Sequence, residues 1–95
     1  MRAQKRDENE GDIIAFFKSK ACSVEALPGG NGRPDLLVYD PRSCVLFLVE
    51  VKMPGKLLNP LQKKWHAAWM PGPVYLVRSA QDAEFILNHL RSKKQ

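Results

Sequence analysis

Three ionisable side chains stand out by type and spacing: Asp35, which follows Pro34, and the acid and base of Glu50-Val51-Lys52. Two carboxylates brought together supply hard oxygen ligands of the kind that hold Mg²⁺ or Mn²⁺. A divalent ion held there polarises a phosphoryl oxygen and lowers the pKa of an attacking water. The carboxylates on either side of Lys52 favour a cation at that position, so its expected role is electrostatic stabilisation and water orientation rather than general-base action.

That chemistry needs a scaffold, and the stretch between Gly32 and Lys52 provides one. Leu36 to Tyr39 and Cys44 to Val51 are rich in Val and Leu and read as strands, and Asp40-Pro41-Arg42-Ser43 between them is a turn with Pro at its second position. The pair is an antiparallel hairpin. With those four residues as the loop, Asp35 falls opposite Leu48 and diagonal to Glu50, roughly 7–8 Å away at the backbone, unless a bulge shifts the register. Alternation puts Leu48, Glu50 and Lys52 on one face together with Asp35. The remaining positions on both faces are apolar, which predicts a strand pair buried on two sides. Acids entering so apolar a hairpin are costly unless paired or metal-bound.

The flanking segments build the rest of an α/β unit. Met1 to Asn9 is a polar lead that turns helical near its end, and helical spacing of Ile13, Ile14, Phe16, Phe17 and Ala21 predicts a helix from about Asp7 to Lys20. Glu10 lies one turn before that stripe and can project toward the hairpin; Asp7 and Glu8 are the alternatives, and any of them equally suits the helix dipole. Ser23 to Leu27 is a short strand. Pro28-Gly29-Gly30-Asn31-Gly32 is a loop able to admit a phosphate backbone or simply to connect strands, with Arg33 at its end as a phosphate contact. Met53-Pro54-Gly55-Lys56 is a turn. Asn59, Pro60 and Gln62 form a capping-box start for a helix from about Pro60 to Met70, with Leu61, Trp65, Ala68 and Trp69 as its buried stripe. Lys56, Lys63 and Lys64 are candidate phosphate contacts, whereas His66, without a partner at metal-binding spacing, reads as structural or exposed. After Pro71-Gly72-Pro73 come a strand, Val74 to Val77, and a helix capped by Ser79, packed through Phe85, Ile86, Leu87 and Leu90 and trailing into the basic tail Arg91 to Lys94. The order is αβββαβα: one domain over residues 10–95, with a mixed central sheet.

Pro34-Asp35 and Glu50-Val51-Lys52 on consecutive strands resemble the signature of PD-(D/E)xK nucleases. Gly32-x-Pro34-Asp35 with the later Leu61-Gln62-x-x-Trp65 is similar to its VRR-NUC branch, the virus-type replication-repair nucleases. The resemblance runs from about Glu10 to Leu90. It implies a restriction-endonuclease-like core and a Mg²⁺- or Mn²⁺-dependent endodeoxyribonuclease. It further implies that Asp35, Glu50 and the carbonyl of Val51 are metal ligands, that Glu10 is the helix acid that completes the metal site directly or through water, that Lys52 is catalytic, and that Gln62 approaches the catalytic site. Stand-alone members of the branch look like symmetric enzymes, which makes a homodimer acting on branched DNA, such as four-way (Holliday) junctions in DNA repair, the expected form.

Composition agrees without deciding. Fifteen Lys and Arg against ten Asp and Glu give the 95 residues a net charge of +5, which suits an anionic partner such as nucleic acid. Cys22 and Cys44 lack metal spacing and read as reduced packing residues. No signal-peptide or transmembrane pattern is visible, so a cytoplasmic protein is expected, in a bacterium or a phage-infected host. Rival readings are a non-catalytic basic DNA-binding module, a nuclease acting on flaps or single strands, and an adaptor that pairs through its sheet edge.

Overall fold

The computed structural model describes residues 6–70 and 72–93. The first five residues of the polar lead, Pro71 of the helix stop and Lys94 of the basic tail therefore lie outside the described residues. The order of elements is α1 (Glu10–Ser19), β1 (Ser23–Ala26), β2 (Leu36–Asp40), β3 (Val45–Val51), α2 (Pro60–Ala68), β4 (Val74–Val77) and α3 (Ala80–Ser92). The four strands form one sheet in the order β1-β2-β3-β4, antiparallel except for β3 and β4, which run parallel because α2 crosses between them. This is the expected mixed α/β architecture.

The core lies on one face of the sheet. Ile13 and Phe17 of α1 and Ala83, Ile86, Leu87 and Leu90 of α3 close over Leu36 and Val38 of β2 and over Phe47, Val49 and Val51 of β3. Phe47 packs edge-to-face between Phe17 and Tyr75, with ring centroids 5.9 and 5.5 Å away. Phe85 points outward from α3 and is 75% exposed, so it takes no part in this packing.

The hairpin register differs from the expected one by two residues. Leu37 pairs with Leu48 and Asp40 with Val45, so the loop is Pro41 to Cys44 and Asp40 stays in its strand. The cause is the Asp40 side chain. Its carboxylate accepts hydrogen bonds from the Arg42 backbone N–H at 3.2 Å and the Ser43 hydroxyl at 2.8 Å, while its carbonyl accepts from Cys44 N at 2.8 Å. Cys44 adopts φ +60° in that turn and is exposed, not a packing residue, whereas Cys22 is buried as expected.

A residue read as part of a basic tail anchors the same turn. Arg91, fifty-one residues from Asp40, donates from Nε at 3.1 Å and Nη2 at 3.0 Å to its two carboxylate oxygens, and also donates to the Lys20 carbonyl. Burial alone would raise the Asp40 carboxyl; the bonds from Arg91, Ser43 and Arg42 outweigh it and hold it below the usual carboxylate range.

The opposite face of the sheet is only partly covered. α2 lies over the Glu50 end of it and buries none of its own residues, so the predicted buried stripe of Leu61, Trp65, Ala68 and Trp69 stays at the surface or half-buried. Leu37, Leu46 and Leu48, expected to be buried by a second layer, are likewise half-buried or exposed. No helix among the described residues is long and apolar enough to cross a membrane.

Candidate active site

Asp35 sits where the β2–β3 ladder opens. Leu36 pairs with Val49, and the Asp35 N–H also donates to the Val49 carbonyl at 3.0 Å, so Asp35 and Leu36 both face Val49 of β3, as in a β-bulge. The next rung is made by a side chain: the Val51 N–H donates to Asp35 Oδ2 at 2.8 Å. The bulge and the shifted register bring Asp35 level with Val49 to Val51 rather than opposite Leu48. Val51 itself is buried, its N–H committed to Asp35.

Glu50 is 1% exposed, beneath α2. Gln62 Nε2 donates to its Oε2 at 3.1 Å, and His66 Nε2 lies 3.2 Å from its Oε1. Burial, then the Asp35 carboxylate beside it, push the Glu50 carboxyl up to about 8. The His66 imidazole is pushed down, first by burial and then by the Lys52 charge. Near neutrality the Glu50–His66 contact is therefore a hydrogen bond between uncharged groups rather than an ion pair. Lys52, half-buried at the end of β3, acts electrostatically on both partners, and lowers the Glu50 carboxyl while Asp35 and Asp7 raise it.

Several contacts fix these groups in place. Asn59 and Gln62 make the predicted capping box, Gln62 N donating to Asn59 Oδ1 at 2.8 Å and Asn59 N to Gln62 Oε1 at 2.9 Å, which leaves the Gln62 amide nitrogen free to reach Glu50. One residue thus serves both the helix start and the site. Gly32, at φ +81°, lies against the Leu61 backbone, and a Cβ there would run into the Leu61 carbonyl, so glycine sets how closely α2 approaches the loop before Asp35. Asn9 bridges the ends of β3 and β4, donating to the Lys52 carbonyl at 3.0 Å and the Arg78 carbonyl at 2.8 Å.

The structure sorts the acids near α1. Glu10 is buried against Arg6, which donates to it at 2.8 and 3.1 Å and also reaches the carbonyls of Leu27 and Asp35. Glu10 therefore touches the site through Arg6 and the Asp35 backbone, while Asp7, half-buried, is the acid of this segment whose charge is felt at Glu50. Arg33, Lys56, Lys63 and Lys64 are exposed, and Lys56 accepts a bond from Arg78 Nη2 at its carbonyl.

As sequence, His66 reads as structural or exposed, and Arg6 and Asn9 do not stand out. For His66 the signal was present: it lies four residues after Gln62, one helical turn on the same face. Arg6 stands four residues before Glu10, the spacing of a helical ion pair. Asn9 carried none, because its partners are backbone carbonyls far along the chain.

Among the described residues no three Asp, Glu, His or Cys side chains converge on one point. A two-carboxylate site nevertheless fits a magnesium-like ion, which commonly takes one or two carboxylates and fills its remaining positions with water and substrate oxygens. The raised Glu50 carboxyl shows that a second negative charge beside Asp35 is costly there, and a cation that displaces its proton offsets that cost.

The fold and the site define an α/β domain with paired carboxylates and a lysine at the open end of its central hairpin. A solved structure described as a "VRR_NUC domain" is similar to this chain at 28% sequence identity and a TM-score of 0.67, over 85% of this chain and 96% of that one. The chain matches no family model and no curated protein. The resemblance first visible in Pro34-Asp35 and Glu50-Val51-Lys52 thus extends through the fold of most of the chain.

Proposed function

We propose that this protein is a metal-dependent, structure-specific DNA endonuclease that works as a homodimer on branched DNA, four-way junctions in particular. The observation that carries the reading is the site at the open end of the hairpin, Asp35 and Glu50 within each other's field and Lys52 beside them, in a fold shared with a VRR_NUC domain.

Asp35 and Glu50, with the Val51 carbonyl, are the residues that would hold Mg²⁺ or Mn²⁺, and Asp7 or Glu10 would act from the next layer. Such an ion, when bound, supplies polarisation of the scissile phosphate and a more acidic water. The protein's own groups do the rest. Gln62 and His66 hold both oxygens of Glu50 in one orientation, and Asp35 is fixed by the Val51 N–H. Lys52 stabilises charge that develops on the phosphate oxygens and orients the attacking water. Arg33, Lys56, Lys63 and Lys64 contribute contacts to the DNA backbone, which makes affinity fall steeply with salt.

Incubation with linear duplex, single strand, flap and four-way junction, each with Mg²⁺ or EDTA, tests the reading. Junction cleavage in Mg²⁺ alone supports it, and preferential flap or single-strand cleavage replaces the substrate. DNA binding with no product in Mg²⁺ or Mn²⁺ overturns it in favour of a non-catalytic DNA-binding module.

A further inference from the structure

β2 and β3 carry apolar residues on both faces, the pattern of strands covered twice, yet α1 and α3 cover only one. On the other face Leu46 is 58% exposed. The apolar stripe of α2 is equally without cover, Leu61 being 58% exposed. Trp65 and Trp69 stack with centroids 4.7 Å apart and wall a groove of about 340 Å³ over Leu37 and Leu48. A shallower hollow lined by Leu37, Tyr39 and Leu46 continues it to Glu25 on β1. The face is therefore one apolar strip from α2 to β1, with a ridge at one end and a hollow at the other.

We propose that a second copy of this chain docks on this strip, about a two-fold axis running along the strands, so that α2 of each copy lies over the β1–β2 hollow of the other. The inference rests on the homodimer reading above and adds where the pairing occurs.

Three features select a second copy as the occupant. A ridge beside a hollow is self-complementary under a half-turn, as an isologous contact requires. The apolar centre carries no cation for a phosphate backbone. The area also suffices, because a stable interface takes about 800 Å² from each partner, roughly an eighth of this protein's 6341 Å² surface, which three strands and a helix face can provide.

The test is the solution mass of the full chain by sedimentation, for wild type, Leu46→Glu, Leu61→Glu and Phe85→Glu. Wild type and Phe85→Glu, the latter altered on the far side of the molecule, should have twice the chain mass. The two strip variants should fall to the single-chain mass at the same concentration with an unchanged circular dichroism spectrum; the exposure of both leucines lets either variant fold. A monomeric wild type overturns the proposal, and so does a dimer that both strip variants leave intact. A monomer whose tryptophan fluorescence is quenched by single-stranded DNA assigns the strip to bases and overturns it as well. The nuclease reading fails separately: a dimer broken by Leu46→Glu that never cuts DNA keeps the interface and loses the enzyme, and a monomer that cuts does the reverse.

Discussion

The protein buries two carboxylates at opposite ends of one hairpin and treats them in opposite ways. Asp40, 0% exposed at the turn, is met by a bidentate guanidinium, a hydroxyl and a backbone N–H, and its carboxyl is held below the usual range. Glu50, 1% exposed at the open end, has among the described residues a neutral amide and an imidazole as direct partners, with Asp35 crowding it, and its carboxyl is pushed up to about 8. Equal burial with unequal compensation separates a structural acid from one whose charge is left for something else to balance.

The largest effect that sharpens this contrast is expected at the open end. Lys52→Ala should lower the junction-cleavage rate by about 10²–10³-fold while junction affinity stays within a few fold, because the ammonium acts on charge that develops in the transition state. A cleavage rate equal to wild type would remove Lys52 from the site.

At the closed end the effect should be on stability. Arg91→Ala leaves the Asp40 carboxylate buried without its cation, which costs about 3–5 kcal/mol in denaturant unfolding. The sign for pH follows from the depressed carboxyl: the pairing stabilises the fold above the ordinary Asp value, and that contribution disappears as pH falls through the lower folded value. An Arg91→Ala variant as stable as wild type would show that the turn does not depend on the pair.

Gln62→Ala should come next. Removing the amide that orients Glu50 is expected to reduce Mn²⁺ affinity or cleavage by about 10-fold or more. Asn59→Ala removes the cap but leaves the Gln62 amide, so it separates loss of the helix start from loss of the contact with Glu50; lower thermal stability with activity retained is its expected result.

Smallest is a slope. In metal-free protein the folded chain keeps a proton on Glu50 that the unfolded chain releases above about 4.5, so Glu50 lowers stability progressively as pH rises from there to about 8. His66 acts oppositely, because its depressed value favours the fold as pH rises through its ordinary 6.5. Glu50→Gln should therefore make stability rise more, or fall less, over pH 5 to 8 than in wild type, measured by thermal unfolding in EDTA.

Much of the fold was legible in the residues themselves. Strand periodicity, the Asn59-Pro60-Gln62 capping box and the Ser79 cap place six of the seven elements close to their observed limits, since each depends on neighbours in sequence. The register was not legible. It turns on whether Asp40 enters the loop or anchors it from the strand, and its bonds to Arg42 and Ser43 are joined there by Arg91, fifty-one residues away. The one-sided burial of the sheet was hidden for a related reason: apolar residues on both faces announce two covers, and a single chain supplies one. Asp35 and Glu50 still meet because a shift of two residues preserves which side of a strand a residue occupies, and the bulge at Asp35 leaves its carboxylate bonded to Val51 N beside Glu50.

The proposed chemistry requires Glu50 to be a carboxyl held for a cation. Calorimetric titration of Mn²⁺ into the metal-free protein at pH 7, in two buffers of different ionisation enthalpy, measures the protons displaced on binding. Binding should release about one proton at pH 7, fewer as the buffer passes pH 8, and Glu50→Gln should abolish both the binding and the release. Binding that releases no proton and survives Glu50→Gln, or no binding at all, would contradict it.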